Sequence, residues 1–166
     1  FSKRLKLQGI KIDPYTKQAW PNIVDDILSV DRKAKVVRQT NETEISVEVN
    51  LAVSAPVAIS TGIGFFDHML EQLAKHSNTS IVIECKGDLN VDKHHTVEDV
   101  ALSLGQALSE ALSNKFGINR YAFTLPMDES LAKMALDLSG RPLCSFEGEF
   151  DREQVGDFPV EMVSHF

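Results

Sequence analysis

The 166 residues suit one domain or two small ones, and 43% hydrophobic with 25% charged residues suits a globular chain able to bury a core. A net charge of −7 and a pI of about 5.2 argue against nucleic acid or an anionic membrane as partner, while leaving room for a local basic pocket that takes a small phosphate. Cys85 and Cys144 are too few for a disulfide framework, which points to a reducing cytosol, and no apolar run approaches the about 18 residues of a membrane span.

Residues 1–32 read apart from the rest. FSKRLKLQGIKID lacks the apolar core and cleavage site of a signal peptide. A Pro-Tyr turn follows, and Trp20, Ile23, Ile27 and Leu28 then fall at helical spacing. SVDRKAK reads as a linker. With no initiator Met, the expectation is an appended tail belonging to a longer protein, and a second unit over 33–166.

In that unit TEISVEVNL alternates Ile45, Val47, Val49 and Leu51 with polar residues, the pattern of a half-buried strand. SAPVAIS reads as a loop broken by proline. GFFDHMLEQLAKHS predicts a helix with Phe66, Met69, Leu70, Leu73 and Ala74 on one face and Asp67 as N-cap. TSIVIECKGD predicts a strand. DKHHTVEDVALSLGQALSEALSNKFG predicts a long helix whose stripe runs through Val97, Val100, Ala101, Leu104, Leu108, Ala111 and Leu112, with Lys115 and Gly117 as stop signals. Strands are predicted at RYAFTLP, LAKMALDL and CSFEGEF, with a turn at SGRP. GDFPVEMVSHF resembles the earlier GIGFFDHML, so the chain reads as a duplicated strand-rich unit: a first repeat over about 35–118 and an incomplete second over about 119–166.

The chemistry-bearing residues cluster around histidine. His94 and Glu98 are spaced i,i+4, and His95 and Glu98 i,i+3, so an imidazole and a carboxylate meet on one helix surface and suit a borderline divalent metal. Adjacent histidines point about 100° apart around a helix, so His94 and His95 serve different ions or only one is used. Two surface histidines at a helix start explain the same pattern, and it matches neither zinc-protease signature. His68, Gln72 and His76 form a polar stripe at i, i+4 and i+8, where a solvated face would more often carry Lys and Glu. Glu42, just ahead of a strand, is either a general acid/base or a solvated strand entrance. Arg120 and Arg141 are either phosphate ligands or surface charge.

Four ordered stretches, TGIGFFDHMLEQLAKHS, KGDLNVDKHHTVEDVALSLGQAL, LPMDESLAKMALDLSGRP and VEMVSHF, together resemble the imidazoleglycerol-phosphate dehydratase family over about Lys35–Phe166. GIKIDPYTKQAWPNIVDDIL resembles the end of the phosphatase domain in bifunctional histidinol-phosphatase/dehydratase proteins. The resemblance implies an α+β fold of the ribosomal protein S5 domain 2-like kind, two copies of a four-stranded sheet with helices on one face. It implies a cytoplasmic homo-oligomer, a 24-mer built from trimers, with two Mn²⁺ ions in each intersubunit site. The metal ligands it implies are His68, His94, His95, Glu98 and His165, with His94 and Glu98 on one ion and His95 and His68 on the other. It places Gln72, His76, Arg120 and Arg141 on the substrate, the arginines on its phosphate, and Glu42 as substrate-binding acid/base.

The function so implied is dehydration of a small imidazole phosphate. Its proton leaves a carbon with no neighbouring carbonyl, and Lewis acids on the ring would supply the missing activation. The competing readings are an inactive fragment lacking a second His-His-x-x-Glu motif, and a metallohydrolase using the same histidines.

Overall fold

Alternation of apolar and polar residues builds the sheet. The computed structural model describes residues 32–113, 115, 118–123, 128 and 131–166. The helix read around Trp20–Leu28 lies outside the described residues, as do 124–126 and Gly117. Strands β1 (Lys33–Gln39), β2 (Thr43–Asn50), β3 (Val57–Ser60) and β4 (Ser80–Gly87) form a mixed sheet in the order β1-β2-β4-β3. The first two junctions are antiparallel and the β3–β4 junction is parallel. Parallel neighbours cannot be joined by a tight turn. Helix α1 (Gly64–Ser77) makes the crossover.

Register puts the apolar residues on one face. Ile45 pairs with Cys85, Val47 with Ile83 and Val49 with Ile81, all buried. Their neighbours carry charge: Glu44 lies opposite Lys86, 4.0 Å away, and Lys35 bonds Glu48 at 2.5 Å. The apolar face is covered by α1 and by helix α2 (His94–Leu112), which buries Val97, Val100, Leu104, Ala107 and Ala111. No helix among the described residues is long and apolar enough to cross a membrane.

Several elements differ from the sequence reading. β1 starts at Lys33, inside the stretch read as a linker, because Ala34 and Val36 pair with Val49 and Val47. Val57–Ser60, read as part of a loop, is the parallel edge strand. Asp67 is not the N-cap of α1. The helix starts three residues earlier, and the Asp67 carboxylate turns back to accept hydrogen bonds from the Thr61 amide (2.8 Å) and hydroxyl (2.5 Å). α2 ends at Leu112, where Ser113 takes a positive φ of 48° and Arg32 donates to the Leu112 carbonyl at 2.8 Å.

The second half departs most. It holds two short ladders, β5 (Tyr121–Phe123) with β6 (Ala135–Asp137) and β7 (Gln154–Val155) with β8 (Phe158–Pro159), then a 3₁₀ helix over Val160–Ser164. CSFEGEF is exposed and has no regular structure, and β6 is exposed along its length. An alternating pattern becomes a strand only where a neighbour completes the ladder, and no described residue pairs with 144–150.

Gly87 decides how closely α2 can approach β4. A Cβ there would lie 2.0 Å from the Thr96 hydroxyl oxygen, which is buried and without a hydrogen-bond partner among the described residues. Gly87→Ala should therefore destabilise the fold by about 1–3 kcal/mol, as overpacking does. Thr96→Ala should recover most of that loss in the double variant, and thermal melts of the four-member cycle measure the coupling.

Candidate functional site

The short loop from β4 into α2 carries two aspartates that each engage a histidine of the helix start. Asp92 Oδ1 accepts hydrogen bonds from the amides of Lys93 (2.5 Å) and His94 (3.1 Å), satisfying donors that the first turn of α2 leaves unpaired. These bonds, His94 first, hold its carboxyl below the usual range. Starting α2 there places His94 and Glu98 one turn apart, with His94 Nε2 3.4 Å from Glu98 Oε2. His95 points elsewhere. Its Nδ1 lies 3.2 and 3.1 Å from the two oxygens of Asp88, and that hydrogen bond raises its pKa above the ordinary imidazole value. Nδ1 on a carboxylate leaves Nε2 as the nitrogen free to bind an ion.

Two further residues approach from distant parts of the chain. The Asp88 amide donates to the Glu42 carbonyl at 3.1 Å, so the β1–β2 turn abuts the histidine loop, and Glu42 contributes to the raised pKa of His95. His165, just after the 3₁₀ helix, brings its ring to 4.5 Å from that of His94, at an interplanar angle of 63°.

His165 is held there by a cap that spans the chain. α1 has no capping side chain of its own at Ile63. Asp157 supplies one, accepting from the amides of Gly64 (2.7 Å) and Phe65 (3.0 Å), while the Lys93 ammonium donates to the Asp157 carbonyl. Beside it Phe158 stacks on Phe66 at 5.6 Å and 27°, and Phe166 meets Phe66 edge-on at 5.5 Å. Met69 and Leu73, expected in the core, are instead 48% and 42% exposed. They line an apolar groove of about 380 Å³ with Phe65, Phe150 and Phe166.

The other predicted residues are more scattered. His68 and His76 are exposed and Gln72 is half-buried along α1. Among the described residues no hydrogen bond, ion pair or ring contact joins His68 to His95. Arg120 grips Asp137 through Nε (2.5 Å) and a terminal nitrogen (3.0 Å) and lies over the Tyr121 ring. Arg141 is exposed in the turn around Gly140, its amide donating to the Ser139 hydroxyl at 3.2 Å. Among the described residues no three His, Cys, Asp or Glu side chains are arranged to hold a metal ion by themselves. The contacts are pairwise, His94 with Glu98 and His94 with His165, and the donors are the imidazole and carboxylate types that suit Mn²⁺, Fe²⁺ or Zn²⁺. Asp88 and Asp157 were missed by sequence reasoning. An acid closing a predicted strand and an acid in a turn ahead of an apolar stretch are their only local signals.

The imidazoleglycerol-phosphate dehydratase family model matches residues 61–166. The histidine biosynthesis bifunctional protein HisB of Stenotrophomonas maltophilia strain K279a is 57% identical over 147 residues, which are 89% of this chain and 41% of that protein. HisB of Baumannia cicadellinicola is 53% identical over the same shares. The chain thus spans less than half the length of these relatives. The crystal structure of imidazoleglycerol-phosphate dehydratase from Staphylococcus aureus N315 superposes with a TM-score of 0.70 at 35% identity, covering 80% of this chain and 73% of that one.

The Asp157 cap has a measurable signature. The Phe65 and Gly64 amides, in that order, hold its carboxyl below the usual range. A carboxyl depressed on folding stabilises when ionised, so its contribution is complete above the unfolded value of about 3.9 and fades as pH falls through the lower folded value. Asp157→Ala should cost about 1 kcal/mol near neutral pH. The gap from the parent protein should close in acid, as melts across pH will show.

Proposed function

The chain belongs to the imidazoleglycerol-phosphate dehydratase family, and on that premise we propose that the protein removes water from D-erythro-imidazole-glycerol phosphate to give imidazole-acetol phosphate in histidine biosynthesis. The observation that carries the reading is the approach of His94 to Glu98 on one side and to His165 on the other, beside the Asp88–His95 pair and the Glu42 turn. In this proposal His94, Glu98 and His165 hold one Mn²⁺, and His95 with His68 holds a second. The remaining donors come from a second His-His-x-x-Glu motif and from neighbouring chains of a homo-oligomer. The architecture is the duplicated, S5 domain 2-like one, and GIKIDPYTKQAWPNIVDDIL belongs to a phosphatase domain, the reading its sequence resemblance supports.

In the reaction the carbon–oxygen bond next to the ring breaks, a proton leaves the neighbouring carbon, and the resulting enol becomes the ketone. Mn²⁺, when bound, supplies Lewis-acid polarisation of the imidazole. Glu42 moves the proton, a task open to an exposed carboxylate at a turn. Asp88 orients the His95 ring and fixes which nitrogen carries hydrogen. Gln72 and His76 contact the substrate. Arg120 and Arg141 take its phosphate, Arg120 by exchanging Asp137 for the incoming anion.

Glu42→Gln should lower kcat by about 10²- to 10⁴-fold while leaving Mn²⁺ binding, followed by calorimetry, nearly unchanged. Ligating imidazoles must be neutral, so Mn²⁺ affinity should fall in acid as the histidines protonate. Affinity that holds well below the histidine pKa, or that survives His94→Ala with Glu98→Ala, would overturn the metal assignment.

A further inference from the structure

The Asp99 carboxylate is buried on the sheet-facing side of α2 and is only 8% exposed. Buried charge needs partners, and the side chains that serve Asp99 come from the β1–β2 hairpin. Arg38 Nε donates to Oδ1 at 2.9 Å, and the Thr43 hydroxyl donates to Oδ2 at 2.6 Å. The Thr40 hydroxyl lies 3.4 Å from Oδ2 and 3.1 Å from the Thr43 oxygen. Thr43 gives its proton to Asp99, so the Thr40 proton goes to Thr43 or to Asp99. The two lone pairs of Thr40 Oγ1 then accept the amides of Glu42 (3.2 Å) and Thr43 (3.0 Å). A hydroxyl has one proton and two acceptor sites; here every one is engaged.

These bonds close a circuit. It leaves α2 at Asp99, passes through Thr40 to the Glu42 amide, crosses from the Glu42 carbonyl to the Asp88 amide, and returns to α2 at His95 through the Asp88 carboxylate. Asp99 and His95 are one helical turn apart. The turn bearing Glu42 is thus bolted to the helix bearing the histidines at two points.

We propose that Thr40, with Asp99 behind it, is a positioning residue for the dehydration: it sets where the Glu42 carboxylate stands relative to the His94–Glu98 helix. The inference rests on the role given to Glu42 above. Its physical basis is that a misplacement of about 1 Å in a reacting group can cost on the order of 10²-fold in rate. The turn of residues 40–42 is exposed apart from Thr40, so its own burial cannot hold it.

The test is a double-variant cycle in the Mn²⁺-loaded protein. Thr40→Val, which keeps shape and removes the hydroxyl, should lower kcat about 10- to 100-fold with KM and Mn²⁺ binding within about twofold. Thr40→Ser should restore kcat. Backbone hydrogen exchange over residues 40–44 should quicken in Thr40→Val and not in Thr40→Ser. In the Glu42→Gln background, Thr40→Val should cost nothing further, because the group it positions is already gone. The same fold-loss in both backgrounds, an unchanged kcat, or a loss that follows Mn²⁺ release overturns the proposal. A fully active Glu42→Gln sinks the role of Glu42 itself, an outcome distinct from an additive cycle. Should Thr40→Val lose its cooperative melt, Asp99→Asn carries the same comparison in both backgrounds.

Discussion

A carboxylate taken out of water must be given partners, and the burial of Asp99 organises this molecule around that requirement. Burial alone would raise its pKa; the hydrogen bonds from Thr43 and Arg38 outweigh that and hold it below the usual carboxylate range. Both partners come from the first hairpin, so satisfying Asp99 fixes the distance and rotation between hairpin and α2. Gly87 then allows the helix to lie close against the end of β4, and the loop between them has little choice about where Asp88 and Asp92 stand. The histidines follow from the start of the helix, and the start of the helix follows from Asp92.

Periodicity carried what is local. The i,i+4 spacing of His94 and Glu98 becomes a 3.4 Å approach, and the alternation of Ile45, Val47 and Val49 becomes the buried face of β2. Contacts between remote segments left no comparable trace. Nothing near Asp157 announces that it caps a helix 92 residues earlier, and nothing near Asp88 distinguishes it from a turn residue. Asp99 was visible only as a charge interrupting an apolar stripe, with Thr96 and Ser103 beside it on the same face. The alternating run at 144–150 marks the opposite error: pattern without a neighbour to pair with does not make a strand.

The two sides of the histidine cluster are held by different physics. Glu42, Asp88 and His95 are connected by directional bonds through one hairpin and one helix start, all within the first part of the fold. His165 arrives on aromatic packing, through Phe158 and Phe166 against Phe66, and on a single ionic cap. Ring contacts tolerate sliding that hydrogen-bonded circuits do not. The His95 side of the cluster is therefore the stiffer one, and the His94–His165 approach is the one that packing in the apolar groove can adjust.

The reach of the Asp157 cap bears on the order of assembly. Closing a loop of that length costs chain entropy before any contact repays it, and contacts distant in sequence form slowly. The hairpin, α2 and their buried carboxylate draw on shorter connections and can form first. His165 joins only when the far segment is packed onto the start of α1, so a complete histidine cluster reports that the two remote segments have met.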